Sequence, residues 1–242
     1  EFIIIDGGST DGSVNVIKKY EKYLSYWVSE KDKGESDASN KGFSRATGDI
    51  IGWQNTDDIY LPGVFYKVAE LFGKNSGADI IYGNRFDIDE KDKIIGESRF
   101  VKFSTIVYQY DGMLLGTQNA FWKRDLFSKI GMLYTNLRFS MDYEFFLRAA
   151  KKGIKFKFFP YYFAAMRRHS GSKTEIFLGT PSHQNELEKI DKEYGRKKWL
   201  NPPLKAYSLL YRVVNYFLQG DGDYVFRGFK RRLKNKSILS GR

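Results

Sequence analysis

The chain contains no cysteine, so it can form neither a disulfide framework nor a thiolate metal site. That absence suits a reducing compartment, and the expected location is the cytoplasm. Histidine appears only twice, at His169 and His183. No run approaches the roughly 20 apolar residues that a membrane-spanning helix needs. There is no internal repeat and no low-complexity segment. Asp6-Gly7-Gly8-Ser9 is rich in glycine, but no Gly-Lys-Ser/Thr follows it, which excludes a P-loop. No RNA-binding or helix-turn-helix signature accompanies the pI near 9.5, so no nucleic-acid partner is expected. The chain opens on Glu1-Phe2-Ile3 with no leader pattern and already reads as a strand. The expectation is a chain that lacks its true N-terminus.

Hydrophobic residues make up 42% and aromatics 17% of 242 residues, enough to build a core for one domain plus an appendage. Charge divides the chain more sharply. From Arg196 onward there are 12 Lys/Arg against 2 Asp/Glu, so this segment carries +10 of the total +11. Residues 1–195 are nearly neutral and read as the folded domain. Residues 196–242 read as a basic amphipathic tail.

Apolar runs and helical periodicities alternate along residues 1–195. Phe2–Ile5 and Tyr26–Ser29 read as strands, with a helix over Val14–Tyr23 between them. Glu35–Ala46 reads as a helix, Asp49–Gln54 as a buried strand, and Pro62–Phe72 as a helix with proline in its first turn. Ala78–Asp89 pairs with Ile94–Phe100 across a turn at Asp92-Lys93. Asn119–Lys123 is a short strand before a helix at Arg124–Ile130. Met141–Lys151 is a helix ending at Gly153, and Ile154–Met166 is the last strand. Strands separated by helices predict an α/β, doubly wound, mostly parallel sheet.

The strand at Asp49–Gln54 delivers Asn55-Thr56-Asp57-Asp58 at its tip, where open α/β sheets build ligand sites. Adjacent carboxylates repel, and a divalent cation carrying phosphate oxygens relieves that repulsion. The alternative is a solvated turn that caps the following helix. Asp6, between a strand and the Gly-rich loop, is either a ligand contact or a turn residue bonding its own backbone amides. Asp142 opens a helix whose apolar face is Phe145, Phe146 and Ala149. It is either a base or a carboxylate placed there by the helix dipole. Glu144 points elsewhere on that helix. Lys41 and Arg45 either reach phosphates or form a solvated face.

Together these motifs resemble glycosyltransferase family 2. The resemblance runs through Asp6 to Ser13, then Asp32 to Gly42 with Asn40 and Lys41, Ala46 to Asp49, and Asn55 to Asp58. It continues through Gln118 to Arg124, Met141 to Arg148, and Arg167-Arg168-His169 with Ser172-Lys173-Thr174. Their shared order from Asp6 to Thr174 covers about 70% of the chain.

The resemblance implies a GT-A fold, a nucleotide-sugar donor, Mg²⁺ or Mn²⁺, and inversion at the anomeric carbon. It places Asp57 on the metal at the third position of the family's Asp-x-Asp motif, with Asp58 and His169 as further metal candidates. Asn55 stands at the first position, where it can hydrogen-bond the donor but supplies no charge. Asp6, Asp32, Asn40, Lys41, Asn55 and Arg168 are the implied donor contacts, with Arg167 and Lys173 as further phosphate-neutralising cations. Asp142 is the implied base. The acceptor expected is a hydroxyl of a glycan or lipid-linked molecule. The rival reading is a catalytically inactive GT-A-like module that binds nucleotide-sugars.

In the tail, Leu204, Tyr207, Leu210, Tyr211, Val214, Phe217 and Leu218 recur at helical spacing. Lys205, Ser208, Arg212, Asn215 and Gln219 occupy the other side. The pattern resumes over Tyr224–Leu233 with Lys230-Arg231-Arg232. Such a helix suits an anionic membrane surface, here the inner face of the plasma membrane. The alternative is a helix packed on the catalytic domain.

Overall fold

A computed structural model describes residues 1–228. In chain order the elements are β1 (Ile3–Asp6), α1 (Ser13–Tyr20), β2 (Tyr26–Ser29), α2 (Glu35–Arg45), β3 (Ile50–Gly52), β4 (Ile59–Tyr60) and α3 (Val64–Lys74). Next come β5 (Ile80–Ile88), β6 (Ile94–Ser98), α4 (Thr105–Asp111), β7 (Ala120–Lys123), α5 (Leu126–Ile130) and α6 (Met141–Lys151). The chain continues through β8 (Phe156–Arg167), α7 (Lys173–Phe177), α8 (Pro181–Glu193) and α9 (Asn201–Leu218). Residues 222–228 are helical as well, whereas Lys230, Arg231 and Arg232 lie outside the described residues.

The sheet is mixed rather than mostly parallel. Its order is β3-β7-β5-β8-β4, with β6 also paired to β5, while β1 and β2 form a separate parallel pair. β5 and β8 run parallel, and β7 lies antiparallel between β3 and β5. β3, β5 and β8 therefore run the same way, and each follows a helix that carries the chain back across a face. The reversed strands arrive differently. β6 returns through the hairpin turn at Asp92, whose φ of 63° is a left-handed conformation that aspartate tolerates. β4 follows β3 by a loop and pairs antiparallel with β8.

Alternation along the strands divides the core. Ile80, Tyr82 and Trp122 face a large cluster with Tyr108 of α4, Phe145 and Phe146 of α6, and Tyr216 of α9. Ile81 and Phe121 face the opposite way, onto Val64, Val68, Leu71 and Phe72 of α3. Trp122 is fully buried, so its truncation to alanine is a change of about 3–5 kcal/mol.

The tail helix α9 packs on the domain mainly through its polar side, joined by Tyr211 from the apolar set. Ser208 and Asn215 are buried, and Arg212 Nε donates to Asp111 Oδ2 at 2.7 Å. The buried polar groups bond within their own helix. Ser208 Oγ donates to the Leu204 carbonyl at 2.7 Å, and Asn215 Nδ2 donates to the Tyr211 carbonyl at 2.8 Å. Tyr216 donates its hydroxyl to the Arg99 carbonyl at 2.8 Å.

Candidate active site

A cleft of about 1940 Å³ opens where the parallel strands end, and Asp57, Asp58, Asp142, Arg168 and His169 all line it. The topology explains the meeting. Asp57 follows the tip of β3 and His169 follows the tip of β8, two strands that run the same way. His169 Nε2 and Asp57 Oδ2 are 3.1 Å apart. Arg167 fixes this pairing. Its main-chain N–H donates to Asp58 Oδ1 and its Nε to the Asp57 carbonyl, both at 2.9 Å. Its other guanidinium nitrogens hold the Asp89 carbonyl at 2.9 Å and Asp92 Oδ1 at 2.7 Å. Arg167 is thus a tie between β8 and the carboxylate loop, with its donors already engaged.

The two expected metal carboxylates have different surroundings. Burial raises the pKa of Asp58, partly offset by the Arg167 amide and by Gln118. Its carboxylate holds the β8 backbone, whereas Asp57 faces His169. A carboxylate oxygen and an imidazole nitrogen at this separation fit two positions around a divalent ion, the nitrogen suiting Mn²⁺ better than the oxygen-preferring Mg²⁺. No group of three or more His, Asp or Glu suited to a metal exists among the described residues. The remaining positions would fall to donor phosphates and water, as is usual for Mg²⁺.

Asp142 sits at the start of α6 and is half-buried. Burial, reinforced by the neighbouring Glu35 carboxylate, pushes its pKa up to about 6, against the pull of the Tyr143 amide 2.7 Å from Oδ1. The loop leading into α6 is clamped by Glu186 of α8, a residue with no signature in the sequence. Its carboxylate accepts the amides of Arg138, Phe139 and Ser140 at 2.7, 2.9 and 3.0 Å. Ser140 makes no side-chain cap, and Glu186 instead holds the three amides that lead into the helix. Lys173 reaches across to Glu35 at 2.6 Å. Glu144 is excluded as a base. It is fully buried, takes two 2.9 Å bonds from Arg148, and accepts the Tyr194 hydroxyl.

The expected donor contacts divide. Asn55 and Arg168 line the cleft, with Arg168 Nη1 also 3.4 Å from Glu175 Oε1. Asp6, Asp32, Asn40 and Lys41 are not among the lining residues. Asp6 accepts hydrogen bonds from the amides of Gly8 and Ser9 and from the hydroxyls of Ser9 and Ser29, which lower its pKa to about 2. Asp32 accepts the Gly34 amide at 2.8 Å and lies against Gly7, leaving no room there for a side chain. Asn40 makes a two-bond match to the Leu133 backbone, at 2.9 and 3.0 Å. Lys41 pairs with Glu30 at 2.7 Å. His183, which had no sequence context, lines the cleft. Trp53 does so too, while Trp122 belongs to the core.

The cleft continues between the edges of β1 and β3, lined by Ile3, Ile5, Phe43, Ile51, Phe65 and Val68. β1 pairs only with β2, and β3 only with β7, among the described residues. Glu1 ties the starts of the two strands by accepting from the Thr47 amide at 2.8 Å and the Gly48 amide at 3.1 Å.

Comparison with known proteins places the chain. It belongs to the glycosyl transferase family 2, whose sequence model matches residues 1–172. An uncharacterized glycosyltransferase of Mycobacterium tuberculosis is 30% identical over 154 residues, covering 62% of this chain and 57% of that protein. A PGL/p-HBAD biosynthesis glycosyltransferase of Mycobacterium bovis is 27% identical over 156 residues, covering 61% and 57%. The chain thus spans a little over half the length of the curated relatives it matches. Among solved structures, S. aureus TarS 1–349 in complex with UDP-GlcNAc superimposes with a TM-score of 0.64 at 14% identity, over 90% of this chain and 66% of that one. The mannosyltransferase PcManGT of Pyrobaculum calidifontis, in complex with GDP-Man and Mn²⁺, gives 0.61 at 13% identity, over 100% and 71%. The fold is GT-A.

Proposed function

We propose that the protein is an inverting glycosyltransferase that moves a sugar from a nucleotide-diphosphate donor to a hydroxyl of a glycan or lipid-linked acceptor. The observation that carries this reading is one cleft holding an Asp57–His169 pair together with Asp142, a carboxylate whose pKa stands at about 6. That value lets Asp142 be ionised at neutral pH yet basic enough to take a proton. In the reaction the acceptor oxygen bonds to the anomeric carbon as the bond from that carbon to the phosphate oxygen breaks. The acceptor proton passes to Asp142, and the electron pair leaves with the nucleoside diphosphate. A divalent ion held by Asp57 and His169 would neutralise charge on that leaving group. Arg168, on the same cleft wall, supplies a further positive charge, and Asn55 a hydrogen bond.

The same proposal assigns residues 1–195 as the catalytic domain and 196–242 as its appendage. It seats one further strand in the apolar slot between β1 and β3, between the side chains of α2 and α3. Support comes from two facing unpaired edges and aromatic lining on both sides.

A panel of nucleotide-sugars screened with manganese by thermal shift, followed by NMR of the product anomer, tests the reading. Turnover with inversion is expected. Donor binding without transfer to any acceptor would favour the inactive binding module, and retention would remove the single-displacement role of Asp142.

A further inference from the structure

Helix α9 turns its aliphatic side outward. Leu210, Val214, Phe217 and Leu218 follow one another at helical spacing and are 63, 45, 51 and 77% exposed, with Leu209 beside them at 56%. Phe226 extends the stripe, its ring 6.1 Å from that of Phe217. The opposite side is committed to the domain through Ser208, Arg212, Asn215 and Tyr216. A continuous outward apolar stripe on a docked helix marks a surface that something covers.

We propose that this stripe docks on an anionic lipid bilayer, with α9 lying in the plane of the interface. Charge selects this occupant. Residues 196–242 carry 12 Lys/Arg and only two acids, Asp221 and Asp223. Both acids are already paired: Asp221 with Arg99 at 2.5 Å, and Asp223 with Arg227 at 2.8 Å. Lys197 and Lys198 are exposed just before the helix, Lys198 also pairing with Glu188 at 2.9 Å, beside Trp199 at 73% exposure. Lysine and tryptophan flanking an aliphatic stripe are suited to headgroup depth. A second copy fits less well, because a two-fold contact would join two chains that each carry a net charge of +11. Arg196 and Lys205 also line the catalytic cleft, so the docked helix begins at the cleft's edge. The docking stands apart from the transferase reading. If both hold, an acceptor anchored in the bilayer is presented at the cleft.

The test is co-sedimentation with phosphatidylcholine vesicles, with and without phosphatidylglycerol, for the wild-type protein and Leu210→Glu/Leu218→Glu. Both positions are exposed, and an unchanged melting temperature confirms that the variant folds. Wild type should bind the anionic vesicles at least about 10-fold more tightly than the neutral ones. The variant should lose at least about 10-fold of that binding. Equal partitioning of wild type into both vesicle types overturns the proposal, as does full retention of binding by the variant. A wild-type dimer in sedimentation equilibrium that the variant dissolves, without vesicle binding, would make the stripe a self-interface.

Discussion

His169 and Asp57 meet at 3.1 Å across 112 residues of sequence, and the contact depends on Arg167 tying β8 to the loop after β3. The pair brings a carboxylate oxygen and an imidazole nitrogen together at the strand tips, in the cleft that Arg168 also lines.

Removing either half of this pair should be visible without turnover. Asp57→Ala should abolish the thermal stabilisation that manganese and a nucleotide-sugar give together. His169→Ala should weaken manganese binding by at least about 10-fold in calorimetric titration with donor present. Wild-type manganese affinity in both variants would move the metal elsewhere.

Asp142→Asn keeps the shape of the side chain and removes its basicity. Turnover should fall by about 100-fold, with donor affinity little changed. The pH profile follows from the raised pKa. A base must be ionised, so the wild-type rate should climb as pH rises through about 6 and flatten above it. A profile already flat from pH 4 would exclude Asp142.

The same carboxylate costs stability. Its pKa rises from 3.8 to about 6 on folding, so the folded protein binds this proton more tightly than the unfolded chain. The penalty is full above pH 6 and vanishes below about 4. Asp142→Asn should therefore raise the melting temperature at pH 7.5 by at least about 2 °C. At pH 3.5 the two proteins should melt together. A lower melting temperature for the variant at pH 7.5 would contradict this account.

Glu186 acts through the loop that presents Asp142. Glu186→Ala leaves three amides without their acceptor and should cost about 2–4 kcal/mol in chemical denaturation. Turnover should drop while donor affinity stays, and Glu186→Gln should recover part of both losses, because one amide oxygen remains to accept. A change confined to stability would reduce Glu186 to a purely structural role.

Much of this was legible in the chain. The helix Met141–Lys151 matches its expected bounds, because a run of apolar residues at helical spacing ends at a glycine with φ of 75°. The acids at the tip of β3 and the histidine after β8 were marked by their position after apolar strands. Strand direction was not legible, because it depends on whether a loop or a helix returns the chain. Nor was the use of Asn40, whose amide matches a backbone 93 residues away. Glu186 lies on a helix of mostly polar residues and looks solvated until the fold brings three amides to it. That the polar side of the tail helix packs on the domain was not legible, because Ser208 and Asn215 satisfy themselves within their own helix and can then be buried.

The apolar slot between β1 and β3 also bears on cooperativity. β7 is flanked by strands on both sides, whereas β1 leans on the rest of the sheet through α2 and the Glu1 contacts with Thr47 and Gly48. A unit held by so few shared hydrogen bonds can open without the remainder. Amides of β1 and β2 should then exchange with deuterium well before those of β5 and β7, and whatever occupies the slot would bring the two groups to a common, slower rate.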